Sequence, residues 1–433
     1  MAGDATRPIL ELRNICKVFA KPSGGSLPVL DNIHMSMRDG EILGLLGRSG
    51  SGKSTLLRIA AGLIQPTSGE VMYQGERLAG PSEGIAVVFQ TFALFLWLTV
   101  QENVEAGLDA LWLPQGEPQR RAHSAIDLIG LDGFQSAYPR ELSGGMRQRV
   151  GFARAIVTTP VVLLMDEPFS SLDVLTAETL RTDFLDLWTT HQLPTKSVLI
   201  VTHNVEEAVL MCDRVMLLSS NPGRIAAEIP IALSHPRSRV DEEFRSIVDE
   251  IYSALTARTV ESIGAMSQVH GGLAQPLPPA SVSRMSGLLE TMAAAPYDGQ
   301  ADLAALARSL TLEVDDLFPI AEGLHILEFA ELKDGSLKLT AAGRAFAHSD
   351  TEERKQLFRE HLLRFVPLTA HIRRVLGERE GDRAPQLRFR VELEDHLSRR
   401  NAEMTLRIAT AWGRYAELFT YNDKARTFSA PVA

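Results

Sequence analysis

The stretch Gly47-Arg48-Ser49-Gly50-Ser51-Gly52-Lys53-Ser54-Thr55 decides the fold, because it matches the phosphate loop G-x-x-x-x-G-K-[ST]. An apolar run (42–46) precedes it, and a helix is expected from about Ser54, as the motif requires. The glycines let backbone N–H groups approach a polyphosphate, and the helix N-terminus adds a positive end. Lys53 is predicted to bridge the β- and γ-phosphates and Ser54 to bind Mg²⁺. The stretch therefore predicts a site for ATP or GTP.

The composition indicates an ordinary globular protein. A chain of 433 residues allows two or three domains, and a net charge of −10 argues against a general affinity for nucleic acid. Cys16 and Cys212 are the only cysteines and lack metal-binding spacing, which favours a reducing compartment. No signal-peptide pattern is evident, and the apolar run 92–100 is too short to span a bilayer. Any membrane role is therefore expected to come through a partner.

Residues 8–259 read as one α/β unit in which short apolar runs alternate with helical periods. The runs 85–89, 161–165 and 198–201 are almost continuously apolar, which is typical of strands buried on both faces. An apolar stripe at helical spacing, from Phe244 to Leu255, predicts a helix that closes this domain.

A second domain is expected after the Gly- and Pro-rich segment 271–279. Helices are predicted at 285–292, 303–310 and 314–327, followed by a hairpin at 329–339 whose turn is Asp334-Gly335. Three helices and a hairpin describe a winged-helix-like module, and 397–418 predicts another long helix. No internal sequence repeat is evident. The expected division is a nucleotide-binding domain at 1–262, a linker at 263–283 and a mainly helical, winged-helix-like domain at 284–433.

Two further segments carry chemistry. Ser143, Gly144 and Gly145 open a predicted helix, where backbone donors and a hydroxyl would form a second anion site; a plain Ser N-cap is the alternative. The strand 161–165 ends in Asp166 and Glu167. Asp166 suits the organisation of Mg²⁺, and Glu167 suits a general base that polarises the attacking water.

Together these segments resemble the nucleotide-binding subunit of an ABC transporter over roughly the first 260 residues. The resemblance implies an ABC cassette of the P-loop NTPase fold, with a helical subdomain at about 91–158, that hydrolyses ATP with Mg²⁺. It also implies that Phe19 stacks on adenine, that Gln90 senses Mg²⁺ and water, and that His203 contacts the γ-phosphate. The implied catalytic residues are Glu167, His203 and Gln90, and the implied metal contacts are Ser54, Gln90 and Asp166. The implied nucleotide contacts are Phe19, Gly47, Arg48, Ser49, Gly50, Ser51, Gly52, Lys53, Ser54, Thr55, Ser143, Gly144, Gly145 and Asp173, the last in the D-loop Ser170-Ser171-Leu172-Asp173.

The same resemblance implies partners. Two copies would pair head to tail around two ATP molecules, so that Lys53 and Glu167 of one copy face Ser143 and Gly145 of the other. The dimer would drive separate integral-membrane permease subunits, and indirectly a substrate-binding protein, from the cytoplasmic face of the inner membrane.

The segment 91–104 and Met146 resemble the nitrate, sulfonate and taurine group of importers, although Leu96 stands where that group commonly has proline. Substrate specificity in such systems belongs to the permease and binding protein, so the expected cargo is a small anion of this kind.

The region from about Ser281 resembles the C-terminal extension of some ATPases in this group. Its segment 311–330 has no Lys or Arg, so no nucleic acid is expected there, and a regulatory or protein-docking role is favoured. The alternative is a soluble ABC ATPase or a nucleotide-gated regulator that acts on nucleic acid through the winged-helix-like domain.

Overall fold

The structure is a computed structural model that describes residues 8–20, 25–47, 50–219, 222–269, 273, 275–310, 312, 314–333, 335–378, 381–397 and 399–431. The chain forms two compact units that divide between Ile251 and Tyr252. We call the first the cassette and the second the tail. The predicted residues Arg48, Ser49 and Asp334 lie outside the described residues.

The cassette alternates strands and helices. Its strands are β1 (Leu10–Ala20), β2 (Ser26–Met37), β3 (Ile42–Gly47), β4 (Ser68–Tyr73), β5 (Glu76–Arg77), β6 (Ile85–Val88), β7 (Val162–Asp166), β8 (Ser197–Thr202), β9 (Arg214–Leu218) and β10 (Ile225–Pro230). Its helices are α1 (Lys53–Ala60), α2 (Val100–Glu105), α3 (Glu117–Leu128), α4 (Gly144–Ile156), α5 (Val174–Thr189), α6 (Val205–Met211) and α7 (Glu242–Val269), the last of which continues into the tail.

Two sheets build the cassette. The central sheet has the order β10-β9-β3-β8-β7-β6, and its strands from β9 to β6 are parallel. β3, β7 and β8 are buried along their whole length, which explains why these segments are apolar almost without interruption. The antiparallel sheet β2-β1-β4-β5 shares one core with the central sheet and α1. Parallel pairing places the ends of β3, β7 and β8 at one edge.

The central parallel sheet, with the loop 47–55 between β3 and α1, has the predicted α/β arrangement. A helical segment that contains α2, α3 and α4 lies between β6 and β7, where a subdomain at about 91–158 was expected. The boundary differs from the expectation. α7 continues to Val269, into the expected linker 263–283, and the two units divide inside this helix rather than near residue 262. The sequence 242–269 contains neither proline nor more than one glycine, so nothing in it stops the helix.

The tail is a mixture of helices and two small sheets. Its helices are α8 (Val282–Ala293), α9 (Leu303–Leu310), α10 (Val314–Ile326), α11 (Ala341–His348), α12 (Thr351–Phe365), α13 (Pro367–Gly377), α14 (Gln386–Glu394) and α15 (Arg399–Tyr415). Its strands are β11 (Gln300–Asp302), β12 (Ala330–Lys333), β13 (Ser336–Leu339), β14 (Arg383–Pro385), β15 (Thr420–Asn422) and β16 (Thr427–Ser429).

The tail contains two modules with the same order of helices and strands. Residues 282–340, the first module, run helix, short strand, two helices and hairpin, with the sheet order β11-β13-β12. Residues 367–431, the second module, run through the same elements in the same order, with the sheet order β14-β16-β15. The register also repeats, because a buried alanine in the short strand opposes a buried residue of the last strand: Ala301 opposes Leu337, and Ala384 opposes Phe428. Both modules therefore have winged-helix connectivity.

Aromatic side chains join the two modules. Phe358 of α12 stacks on Phe329 of the first module, with ring centroids 6.1 Å apart, and contacts Trp412 of the second edge-on at 6.2 Å. Trp412 is fully buried, and its indole N–H donates to the carbonyl of Ala280 over 2.8 Å. The modules thus share one core.

The modules differ in charge. The first carries four Lys and Arg against ten Asp and Glu, and the second carries twelve against nine. No helix in the described part of the chain is long and apolar enough to cross a membrane.

Candidate ATP site

The phosphate loop connects β3 to α1 in the predicted manner. Gly52 precedes α1 with a φ of +100°, and within the described chain no side chain caps this helix. The first N–H groups of a helix have no acceptor within the helix, and those of α1 lie at the end next to the loop. Lys53, which is 5% exposed, begins α1, and its Nζ donates to the carbonyl of Gly47 over 2.5 Å. A buried ammonium and an uncapped helix N-terminus together make an anion site.

The loop leaves no room for larger side chains. A Cβ on Gly47 would lie 2.6 Å from the carbonyl oxygen of Leu218, and a Cβ on Gly52 would lie 2.8 Å from Leu30. Ser51 is 1% exposed, and its hydroxyl has no hydrogen-bond partner among the described residues. A buried hydroxyl without a partner is costly unless a ligand satisfies it.

Ser54 and Asp166 meet beside the loop. The Ser54 hydroxyl donates to Asp166 Oδ1 over 3.0 Å, joining the first turn of α1 to the end of β7. Burial raises the pKa of the Asp166 carboxyl above its ordinary value, and the hydrogen bond from Ser54 opposes that rise. A hydroxyl and a carboxylate at this place are hard oxygen ligands of the kind that Mg²⁺ prefers.

Glu167 is the centre of a second group. Gln90 Nε2 donates to its Oε2 over 2.9 Å, and His203 Nδ1 lies 3.4 Å from the same oxygen. The hydrogen bond with His203 holds the pKa of Glu167 below its ordinary value, although burial acts in the opposite direction. The Glu167 backbone adopts a φ of +47°, which is uncommon for a residue with a side chain, and its N–H still bonds to the carbonyl of Val201. The three predicted catalytic side chains are therefore in contact.

The predicted residues on the other helices lie at helix N-termini. Ser143 caps α4 and accepts from the N–H of Met146 over 3.2 Å. Asp173 caps α5 and accepts from the N–H of Thr176 over 3.0 Å. Hydrogen bonds from the Thr176 side chain and from its N–H lower the pKa of Asp173. Gly145 packs so tightly on α5 that a Cβ there would lie 2.4 Å from Thr176.

Phe19 lies near the end of β1 with 39% of its surface exposed, and Lys17 Nζ lies 5.0 Å from its ring centroid. Its predicted stacking on adenine stays a prediction. Two positions outside the predicted site residues also contact the site. The Ser170 hydroxyl donates to the carbonyl of Glu167 over 3.0 Å, and a Cβ on Gly223 would lie 2.4 Å from the carbonyl of Ser51. Ser170 was predicted only as part of the D-loop, and its contact could have been found from its place three residues after Glu167; the approach of Gly223 to Ser51 had no sequence signal.

The described residues fit a nucleotide with Mg²⁺. The orphaned Ser51 hydroxyl, the uncapped α1 and the buried Lys53 suit a polyphosphate, and Ser54 with Asp166 suits the metal.

Comparisons with known proteins identify the family. The sequence pattern of the ABC transporter family matches residues 30–170, and that of the C-terminal AAA-associated domain matches residues 304–422. The nitrate import ATP-binding protein NrtD of Synechocystis is 44% identical over 267 residues, which is 60% of this chain and 99% of that protein. The aliphatic sulfonates import ATP-binding protein SsuB of Bacillus cereus is 38% identical over 238 residues, 55% of this chain and 92% of that protein.

Among solved structures, a dimeric ATP-binding cassette bound to ADP and phosphate, MJ0796, is 29% identical and covers 52% of this chain and 100% of its own, with a TM-score of 0.46. The chain has the phosphate loop and the carboxylates at the end of β7, and it matches NrtD and SsuB over nearly their whole length. It therefore belongs to the ATP-binding subunits of ABC transporters and is an ATP-hydrolysing enzyme.

Proposed function

We propose that this chain is the ATPase subunit of an ABC importer for nitrate, sulfonate, taurine or a similar small anion. The observation that carries the proposal is the group around Glu167, in which Gln90 and His203 hold one carboxylate oxygen beside the Ser54–Asp166 pair. The importer class is supported by the two relatives, which are named for nitrate and aliphatic sulfonates.

In the proposed mechanism the loop 47–55 binds the phosphates of ATP. Lys53 neutralises the β- and γ-phosphates, and Ser54, Asp166 and Gln90 hold Mg²⁺. Mg²⁺, when bound, would supply positive charge that stabilises the phosphates during transfer. Glu167 takes the proton of the attacking water, and its lowered pKa keeps it ionised and ready to do so. His203 orients Glu167 and contacts the γ-phosphate, and Phe19 stacks on adenine.

The proposed site needs two copies. Ser143, Gly144 and Gly145 begin α4, and their N–H groups bind the γ-phosphate of the ATP held by the other copy. Asp173, at the start of α5, lies at the same proposed interface. ATP binding closes this head-to-tail dimer and hydrolysis opens it. Each cycle of closing and opening is therefore one movement that can be passed to a partner protein.

The proposed partner for that movement is a pair of integral-membrane permease subunits, which places the chain on the cytoplasmic face of the inner membrane. A substrate-binding protein delivers the cargo. The exposed side chains Leu96 (68%) and Trp97 (72%), in the segment after Gln90, suit the permease contact. The tail acts in regulation or docking rather than on nucleic acid.

The test is to co-express the chain with a candidate permease and binding protein and to measure uptake in membrane vesicles prepared from those cells. We expect the chain to co-purify with the permease and to support ATP-dependent uptake of nitrate or taurine, and we expect Lys53→Ala to lose most nucleotide affinity and all uptake. Co-purification with nucleic acid and no permease would instead support the regulator alternative.

A further inference from the structure

The cassette contains a cavity whose lining residues differ from those of the nucleotide site. It lies between α4, α5 and the segment 127–130 at the C-terminal end of α3, and its volume is about 370 Å³. This volume lies within the range of small-molecule sites. The inference from it stands apart from the proposed transport function.

The inner wall of the cavity is apolar and aromatic. Phe169, Leu180 and Phe184 line it and are between 4% and 8% exposed. Phe152 also lines it and meets Phe184 edge-on, with ring centroids 5.6 Å apart. Side chains of this kind favour an aromatic occupant, which gains both apolar burial and ring contacts.

One polar atom in the wall is left without a partner. Gln148 lines the cavity and is 4% exposed, and its Oε1 has no hydrogen-bond partner within the described residues. A buried carbonyl oxygen that makes no hydrogen bond costs free energy, and it can only accept. An occupant with an N–H or O–H group would satisfy it.

The charges around the cavity disfavour an anion. Arg149 is already engaged, because its guanidinium donates to the carbonyl of Ile129 over 2.7 Å and pairs with Asp183. Asp127 and Asp186 also line the cavity and add negative charge. A carboxylate or sulfonate would therefore meet repulsion, whereas a neutral or positively charged molecule would not.

We propose that this cavity is a binding site for an aromatic small molecule, neutral or singly positive, that donates one hydrogen bond to Gln148. Such a ligand packs against both α4, which begins next to Ser143, and α5, which begins next to Asp173. The site is chemically distinct from any that would take a transported anion.

The test uses the full-length protein and three probes of similar size in calorimetric titrations. Indole has the aromatic body and the N–H donor, 1-methylindole lacks the donor, and indole-3-acetate adds a negative charge. We expect saturable binding of indole and about tenfold weaker binding of 1-methylindole. We expect indole-3-acetate to bind more weakly than indole, owing to the carboxylates. In Gln148→Leu, indole and 1-methylindole should bind equally.

A matched pair of variants on α5 tests whether indole binds in the cavity. Leu187 lines the cavity and Leu185 does not, and both are half-buried. Leu187→Trp should fill the cavity and weaken indole binding at least tenfold, while Leu185→Trp should leave it unchanged. The proposal is overturned if indole shows no saturable binding at about 1 mM, if Leu187→Trp has no effect on the binding of indole, or if wild-type protein does not distinguish indole from 1-methylindole.

Discussion

The cassette and the tail use their polar and aromatic groups in opposite ways. In the cassette, the Ser51 hydroxyl is buried without a partner in the described chain, Glu167 holds a left-handed backbone, and Phe19 is 39% exposed. In the tail, Trp412 is fully buried and hydrogen-bonded, and surface groups pair with one another, as Lys355 does with Glu417 over 2.8 Å.

This difference between the cassette and the tail indicates which of the two regions is arranged to bind a ligand. A buried hydroxyl without a partner and a strained residue lower stability unless a ligand or a reaction uses them. The cassette is therefore arranged around something outside its own chain. In the described part of the tail, the residues with an unpartnered buried side-chain atom, Arg354, Arg390 and Glu394, each take part in an ion pair. Packing and pairing within the tail therefore explain its architecture, and substitutions in the two regions should be read out in different measurements.

Glu167→Gln should have the largest effect, and that effect is on the chemical step. Loss of the base is expected to slow hydrolysis at least about 100-fold, with ATP binding kept and an ATP-bound dimer accumulated. Phosphate release and size-exclusion chromatography with ATP measure these results. Glu243→Gln, an exposed carboxylate on α7, is the control and should behave like wild type. Near-normal turnover in Glu167→Gln would remove this residue from the role of base.

Trp412→Ala should lower the stability of the tail and leave ATP binding unchanged. Removing a fully buried indole is expected to cost about 3–5 kcal/mol of tail stability, because it leaves a cavity and frees the Ala280 carbonyl. Guanidinium unfolding measures this loss, and ATP affinity should change less than twofold. Trp112→Ala is the control, since Trp112 is fully exposed. Equal losses for the two tryptophans would contradict the shared core of the modules.

Helix caps with the same chemistry sharpen the comparison further. Asp173 caps α5 in the cassette, and Asp350 caps α12 in the tail, where it accepts from the N–H groups of Glu352 and Glu353. Either change to alanine should cost about 1 kcal/mol in thermal unfolding. Only Asp173→Ala should also weaken the ATP-dependent dimer of the Glu167→Gln protein. A dimer weakened equally by both changes would disprove this distinction.

The smallest expected effect is a pH dependence of cassette stability. The pKa of Glu167 lies below its ordinary value of 4.5. A carboxylate of this kind stabilises the folded state above its ordinary pKa, and the stabilisation is lost as the pH falls through the lowered value. The stability difference between wild type and Glu167→Gln should therefore shrink as the pH falls below about 5. Urea midpoints measure it, and a constant difference down to about pH 3 would contradict the shift.

The cassette could be predicted from sequence because its chemistry lies in short contiguous motifs. The loop 47–55 and the pair Asp166–Glu167 each follow a strand that is apolar throughout. Both the motif and the strand before it could therefore be recognised in the sequence. What could not be predicted depends on contacts distant in sequence. The cavity around Gln148 needs α4, α5 and the segment after α3 to come together, and Gly223 approaches Ser51 only in the folded chain.

The second module escaped prediction for a different reason. Its strands β14, β15 and β16 have three residues each, too few to show an alternating pattern. The first module was visible because Gly335, with a φ of +75°, marks its hairpin turn, whereas Arg426 takes the corresponding positive φ in the second. A turn without glycine gives little sequence signal.

The unequal charges of the two modules give the tail an electric dipole. Ten acidic residues against four basic ones in the first module face an excess of basic residues in the second, within one packed body. A charged surface nearby exerts a torque on such a body and turns it before contact is made, with the basic module toward an anionic surface. At physiological salt this torque acts over about 8 Å, and at 1 M salt over about 3 Å, so salt alone would abolish the orientation and leave the fold intact.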